Sequence, residues 1–122
     1  MSKELKYSKN HMWVQIEDNI AAIGLSEYAV KQLGAIAFMN LPDKGEVFQQ
    51  GEIFGDIENI KTVSDLVFPV CGEIIEVNDE ILDNPENVSS DIEAGWLVKV
   101  TIENHDYELM DHDAYERYVE SL

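Results

Sequence analysis

A single lysine, Lys61, stands in the octet Glu58-Asn59-Ile60-Lys61-Thr62-Val63-Ser64-Asp65, bracketed by acids and lying between two apolar segments. The segments at 51–57 and 66–70 read as strands, so the octet is the bend of a hairpin and its lysine is held out into water. Two readings of such a lysine stand side by side. It is a solvated charge that relieves local acidity, or it is an amine offered for acylation. Acylation needs a free amine, an accessible tip and a local shape that a modifying enzyme can read. The amide product is neutral, so an apolar group joined there rests against the protein without burying a charge.

The other reactive side chains are less suggestively arranged. His11, His105 and His112 are the histidines, and none sits with a cysteine or another histidine at a ligand-like spacing, so no metal site is expected. His105-Asp106 and His112-Asp113 could pair, but so acidic a chain produces such neighbours by chance. Asp79, Glu80, Asp83 and Glu86 lack the alternating oxygen ligands of a calcium loop and read as a solvated face. Cys71 is the only cysteine, which excludes an intrachain disulfide. It has no basic neighbour to activate its thiol. There is no Gly-x-Ser-x-Gly and no phosphate-cradling glycine loop. Acting alone, the chain shows no enzyme active site, and a carrier is expected in preference to an enzyme.

Composition narrows the partners. With 122 residues the chain suits one domain over 1–122. Hydrophobic residues make up 45% and charged residues 27%, which places it among globular proteins. The net charge of -17 repels phosphate backbones and anionic lipid faces, so neither nucleic acid nor membrane is an expected partner. Protein partners with basic patches suit it. The N-terminus lacks the apolar core of a signal peptide, and no apolar run approaches spanning length. A soluble, cytoplasmic monomer is expected, although a processed organelle protein would look the same.

The elements that must position Lys61 read as mainly β. Residues 13–17 alternate and 20–25 follow, joined by Asp18-Asn19, a pair that tolerates the left-handed backbone of a tight hairpin. Ser26 can cap a short helix through about Leu33, with Gly34 at the left-handed stop. A strand over 35–41 runs into a Pro42-Asp43-Lys44-Gly45 turn. From 46 to 78 short strands are punctuated by glycine, and Gly51-Glu52-Ile53 is weakly echoed by Gly72-Glu73-Ile74, as two half-sheets around a pseudo-twofold would be. Asn84 and Pro85 signal a single helical turn. Trp96, Val98, Val100 and Ile102 share one face of a strand. A C-terminal helix begins near Ala114 with Asp113 as its cap and Glu116 three residues on, and its Tyr115, Tyr118, Val119, Leu122 stripe is expected to lie on the sheet.

The octet resembles Glu-Ser-Val-Lys-Ala-Val-Ser-Asp of the lipoyl-carrying H proteins of the glycine cleavage system, matching at Glu58, Lys61, Val63, Ser64 and Asp65. Asn59, Ile60 and Thr62 depart from it. The resemblance runs through nearly the whole chain: Tyr7-Ser8, His11, Trp13, Tyr28-Ala29, Leu33-Gly34, Leu41-Pro42 and Gly45 before the lysine. After it come Pro69-Val70, Gly72-Glu73, Val77-Asn78, Asn84-Pro85-Glu86 and Gly95-Trp96-Leu97. Biotin carriers flank their lysine with methionines, where this chain has Ile60 and Thr62. The lipoyl domains of 2-oxoacid dehydrogenases are shorter units without the two helices read here.

The resemblance implies a barrel-sandwich hybrid, a flattened lipoyl-domain-like β barrel with a short helix in the N-terminal half and a C-terminal helix. It implies lipoate joined by an amide to Lys61, serving as a swinging arm. The implied partners are a lipoate ligase or a lipoyl/octanoyl transferase, a pyridoxal phosphate glycine decarboxylase, an aminomethyltransferase and a dihydrolipoyl dehydrogenase. The arm would carry an aminomethyl group between these enzymes. Members commonly have His-Glu-Trp where this chain has His11-Met12-Trp13, and that glutamate lies by the cleft sheltering the loaded arm. Val30 and Ala35 also replace residues common in the family, glutamine and aspartate. The departures leave lipoylation intact and admit an H-like carrier outside glycine cleavage: a lipoyl relay donor or a redox-linked carrier, some of these being tied to ADP-ribosylation. The reading of another class is an unmodified acidic module that docks a basic partner.

Overall fold

Alternation of buried and exposed residues sorts the strands onto two sheets. The computed structural model describes residues 5–34, 36–59, 61–87, 95–102 and 109–122. Its strands are β1 (Leu5–Tyr7), β2 (Met12–Glu17), β3 (Ile20–Leu25), β4 (Ile36–Asn40), β5 (Val47–Phe48), β6 (Ile53–Asn59), β7 (Val63–Val67), β8 (Gly72–Val77) and β9 (Trp96–Thr101). Its α-helices are α1 (Glu27–Leu33), α2 (Asp79–Asp83) and α3 (His112–Glu120), and Pro85–Asn87 forms a 3-10 turn. A six-stranded sheet runs β1-β2-β3-β9-β8-β5 and a three-stranded sheet runs β4-β6-β7. This is the mainly β, barrel-sandwich class expected from the sequence.

Between the sheets lie Val14, Ile23, Ile57, Phe68, Val70, Ile74 and Val100, each fully buried. A buried side chain of this size contributes about 1.5–3 kcal/mol, so this layer dominates the fold's stability. Bulges at Ile23/Gly24, Ile36/Phe38, Ile53/Gly55 and Ile74/Glu76 bend the strands, which lets two short sheets wrap one core. Phe48, Phe54 and Phe68 join the sheets where β5 meets β6, with Phe54 edge-on to Phe68 at 5.1 Å. Trp13 pairs with Gly24 across β2 and β3, and a Cβ on Gly24 would overlap the indole.

The local signals hold at several places. Asp18 adopts φ 55 in the two-residue turn between β2 and β3. Ser26 Oγ accepts the Ala29 N–H at 3.2 Å and so caps α1, and Gly34 ends it with φ 65. Elsewhere the structure corrects the reading. The cap of α3 is Asp111, not Asp113: Asp111 is extended and its Oδ1 accepts the Ala114 N–H at 2.8 Å, so the helix starts at His112. The stripe on α3 is shorter than expected. Tyr115 is buried and stacks on Tyr7 of β1 at 4.6 Å, whereas Leu122 is exposed, so the helix covers the sheet's edge strand and not its face. Residues 79–83 form α2 beneath the acidic side chains, which are solvated as read, because Ile81 is buried and anchors the turn.

On β9 Leu97 is as buried as Val98 and Val100, while Trp96 is half-buried under Lys99, whose Nζ lies 4.7 Å from the ring centroid. Packing on both faces replaces the expected one-sided strand. The glycine echo does not mark equivalent positions, since Ile53 is exposed on the smaller sheet and Ile74 is buried on the larger. His105, Asp106, Ala35, Ile60 and Val88 lie outside the described residues. Among the described residues no helix is long and apolar enough to cross a membrane.

Candidate functional site

Strands β6 and β7 extend closer to Lys61 than the sequence suggested. Glu58 pairs with Val63, and the Asn59 N–H donates to the Thr62 carbonyl at 3.0 Å, so pairing continues to Asn59 and Thr62. Asn59 is the reason. Its Oδ1 accepts the Lys61 N–H at 2.9 Å and the Thr62 N–H at 2.7 Å, and the Thr62 hydroxyl lies 3.2 Å away. A side-chain carbonyl that collects the amides two and three residues on builds a turn without backbone help. Lys61 is thereby presented, exposed, at the tip of an ordered bend.

The same asparagine faces inward. Along β6, Ile57 is fully buried and Asn59 follows it on the core side, where its Nδ2 donates to the Leu33 carbonyl at 2.9 Å. This occupies a carbonyl at the C-terminal end of α1, a group that helices leave without an internal partner. The tip bearing Lys61 and the end of α1 are joined by one side chain. Reading the octet as a motif missed this, although an Asn placed two residues before the tip is itself a turn signal.

Next to the hairpin, a cleft of about 220 Å3 runs between β7, α1 and the β1–β2 turn. Met12, Leu25, Ala29, Leu33, Ile57 and Leu66 line it with apolar surface, and Asn10, Gln32 and Ser64 supply polar groups. Ser64 and Asp65 belong to β7, which leaves the Lys61 turn, so the cleft opens close to the lysine. A narrow apolar trough with a polar rim fits an aliphatic chain tethered at Lys61 by a neutral amide. Met12 is only 1% exposed, so it sits in the wall.

His11 closes one end of this cleft. It adopts φ 67, and its Nδ1 lies 2.7 Å from the Tyr115 hydroxyl, which is itself 2.7 Å from Ser26 Oγ. A consistent set of donors exists: Ala29 N–H to Ser26 Oγ, Ser26 hydroxyl to Tyr115 Oη, Tyr115 hydroxyl to neutral His11 Nδ1. The chain ties α3 to the cap of α1 and to the turn before β2. Burial pushes the His11 pKa below its usual value, and the Tyr115 pKa upward. Residues 11, 26 and 115 carry no sequence pattern that could have united them.

The remaining candidates stay apart from the lysine. His112, Asp113 and Glu116 bring possible ligand atoms within 4.8 Å of one another, all exposed on the first turns of α3. Cys71 Sγ accepts the Gln50 N–H at 3.3 Å on the turn that precedes β6.

Comparison with known proteins follows this geometry. A family model described as Glycine cleavage H-protein matches residues 5–122. Glycine cleavage system H proteins from two strains of Staphylococcus epidermidis are each 44% identical over 119 residues, covering 95% of this chain and 94% of theirs. The crystal structure of a glycine cleavage system H protein from Mycobacterium marinum superposes with a TM-score of 0.88 at 33% identity, covering 100% of both chains.

Proposed function

This chain belongs to the glycine cleavage H-protein family, and from that membership we propose that it carries lipoate on Lys61 as a tethered arm of the glycine cleavage system. One observation carries the assignment of the residue: Lys61 is exposed at the tip of a bend ordered by Asn59, beside an apolar cleft. As the free amine, Lys61 Nζ attacks the carbonyl carbon of an activated lipoyl group. The amide C–N bond forms, the bond to the leaving group breaks, and the surplus proton passes to solvent.

Bound lipoate supplies disulfide–dithiol chemistry and a sulfur that can carry an aminomethyl group between partner enzymes. The protein's own residues do the rest. Asn59 fixes the anchor, Leu25, Leu33, Ile57 and Leu66 give apolar cover, and Asn10 and Gln32 offer hydrogen bonds at the rim. Tethering raises the effective concentration of the arm at each docked partner. Those partners are a lipoate ligase or lipoyl/octanoyl transferase, a pyridoxal phosphate glycine decarboxylase, an aminomethyltransferase and a dihydrolipoyl dehydrogenase.

Intact-mass measurement after incubation with lipoate, ATP and a lipoate ligase tests the assignment. A single lipoyl increment that disappears in Lys61→Ala is expected. No increment, or one that persists in the variant, would overturn it.

Met12 favours a second reading, a lipoyl carrier that serves a relay or a redox-linked system outside glycine cleavage. It puts a thioether, 1% exposed, into the wall of the cleft where a carboxylate would suit a charged amine. Normal glycine turnover by the lipoylated protein with the three partner enzymes would remove this reading.

A further inference from the structure

The two faces of the β4-β6-β7 sheet differ sharply. Met39, Ile57 and Ser64 pair across it toward the core, and Met39 and Ile57 are buried. The next register row, Phe38–Glu58–Val63, points outward, and Phe38 is 64% and Val63 60% exposed. On the same outer face, two positions further from the Lys61 turn, lies the row Asn40–Asp56–Asp65, in which Asn40 Nδ2 donates to Asp56 Oδ1 at 2.7 Å. Two large apolar side chains flanking a carboxylate on a three-stranded sheet form a patch, which differs from the scattered exposed residues that need no explanation. Glu58 and Val63 stand at the last paired positions before the Lys61 turn.

We infer that this outer face is where the enzyme that transfers an activated lipoyl group to Lys61 docks, with Phe38 as its apolar anchor. The inference rests on the reading of Lys61 as the lipoylated residue. Acyl transfer requires Lys61 Nζ to enter the enzyme's own site, so the enzyme must close over the turn. A stable interface covers about 800 Å2 on each partner, so a row adjoining the turn falls inside that footprint. Enzymes that act on the far end of a loaded arm need not come so near.

On the inner side, Asn59 holds the turn against the Leu33 carbonyl of α1, while the outer face carries Phe38 and Val63 in water. The charges specify the partner's chemistry. Glu58, Asp56 and Asp65 share this face with no basic side chain in the two rows, so the docking surface of the enzyme has an apolar socket with basic side chains around it. An aromatic anchor ringed by contacts that exclude water is the usual layout of an energetic centre in an interface.

The test is steady-state lipoylation of the apo-protein by a lipoate ligase with lipoate and ATP, read by mass at Lys61. Phe38→Ser is expected to raise KM for the protein about tenfold with kcat retained. Phe38→Leu is expected to recover most of the loss, and Asp56→Lys to raise KM and flatten its salt dependence. Circular dichroism melts show whether each variant is folded, and Val63→Ser provides a second reading on the same row. Unchanged kcat/KM in folded Phe38→Ser and Val63→Ser overturns the inference while leaving Lys61 lipoylation intact. Absence of modification in the wild type instead overturns the reading of Lys61. If Phe38→Ser abolishes self-association in sedimentation and leaves KM unchanged, the face belongs to a second copy of the chain, and the inference is likewise overturned.

Discussion

Asn59 is joined to Leu33: its Nδ2 donates to the Leu33 carbonyl at 2.9 Å while its Oδ1 holds the amides of Lys61 and Thr62. One side chain thus sets the shape of the hairpin tip and its distance from α1. The tip of a hairpin is normally where backbone order is lowest, and a carrier lysine that a modifying enzyme must recognise benefits from the opposite.

Replacing Asn59 separates these two duties. Asn59→Ala removes both sets of bonds and is expected to cost about 1–2 kcal/mol in urea unfolding. It should also slow lipoylation of Lys61 through a looser turn. Asn59→Asp keeps the oxygen acceptors and loses the donor to Leu33, so it should retain the lipoylation rate better than Asn59→Ala. Equal rates for wild type and Asn59→Ala would show that the ordered bend is not what the enzyme reads.

Met12 is expected to tolerate change of shape far better than change of charge. At 1% exposed it lies in the wall between cleft and core. Met12→Leu should cost less than about 1.5 kcal/mol. Met12→Glu buries a carboxylate without a partner and should cost about 2–4 kcal/mol at neutral pH, with part recovered as the pH is lowered and the acid is neutralised. Urea midpoints at pH 5 and pH 7.5 check both values and the sign. Wild-type stability in Met12→Glu would mean that water reaches this position through the cleft.

His11 makes the docking of α3 sensitive to acid. Burial lowers its pKa from 6.5, so the unfolded chain binds the proton more readily than the folded one. Its stabilising contribution is therefore complete above about pH 6.5 and is lost as the pH falls through the folded-state value. Protonated Nδ1 must donate to Tyr115, which reverses the hydrogen-bond chain that runs through Ser26. The ring is faced by Tyr28 at 4.6 Å, Tyr115 at 5.8 Å and Tyr118 at 6.1 Å, none of which supplies a carboxylate to hold the charge. Melting temperatures between pH 7.5 and pH 5 should fall more steeply in the wild type than in His11→Gln. Parallel slopes would remove His11 as the cause.

Much of this was legible in the sequence because the signals are local. The Asp18-Asn19 turn, the Ser26 cap, the Gly34 stop and the hairpin at Lys61 depend on residues within a few positions, and each appears where the chemistry put it. The neighbouring residues point to Asp113 as the cap of α3, whereas the bridge between Tyr7 and Met110 fixes the chain just before Asp111, and Asp111 is the cap. Packing on a second face of β9 and the exposure of Leu122 at the chain's end depend on what lies opposite, which alternation alone does not state.

By itself the sequence determined the mainly β class, the exposed lysine at a bend, and a family pattern spread across the chain, because turns, caps and periodicity are written in neighbouring residues. The tertiary structure alone decided that Asn59 reaches Leu33, that Met12 and Ser64 share one cleft, that His11 meets Tyr115 across 104 positions, and that Phe38 and Val63 flank Glu58 in water. The physical reason is range. A hydrogen bond or an apolar contact acts over a few ångströms, and which distant residues come within it is set by the bulges and registers of the two sheets.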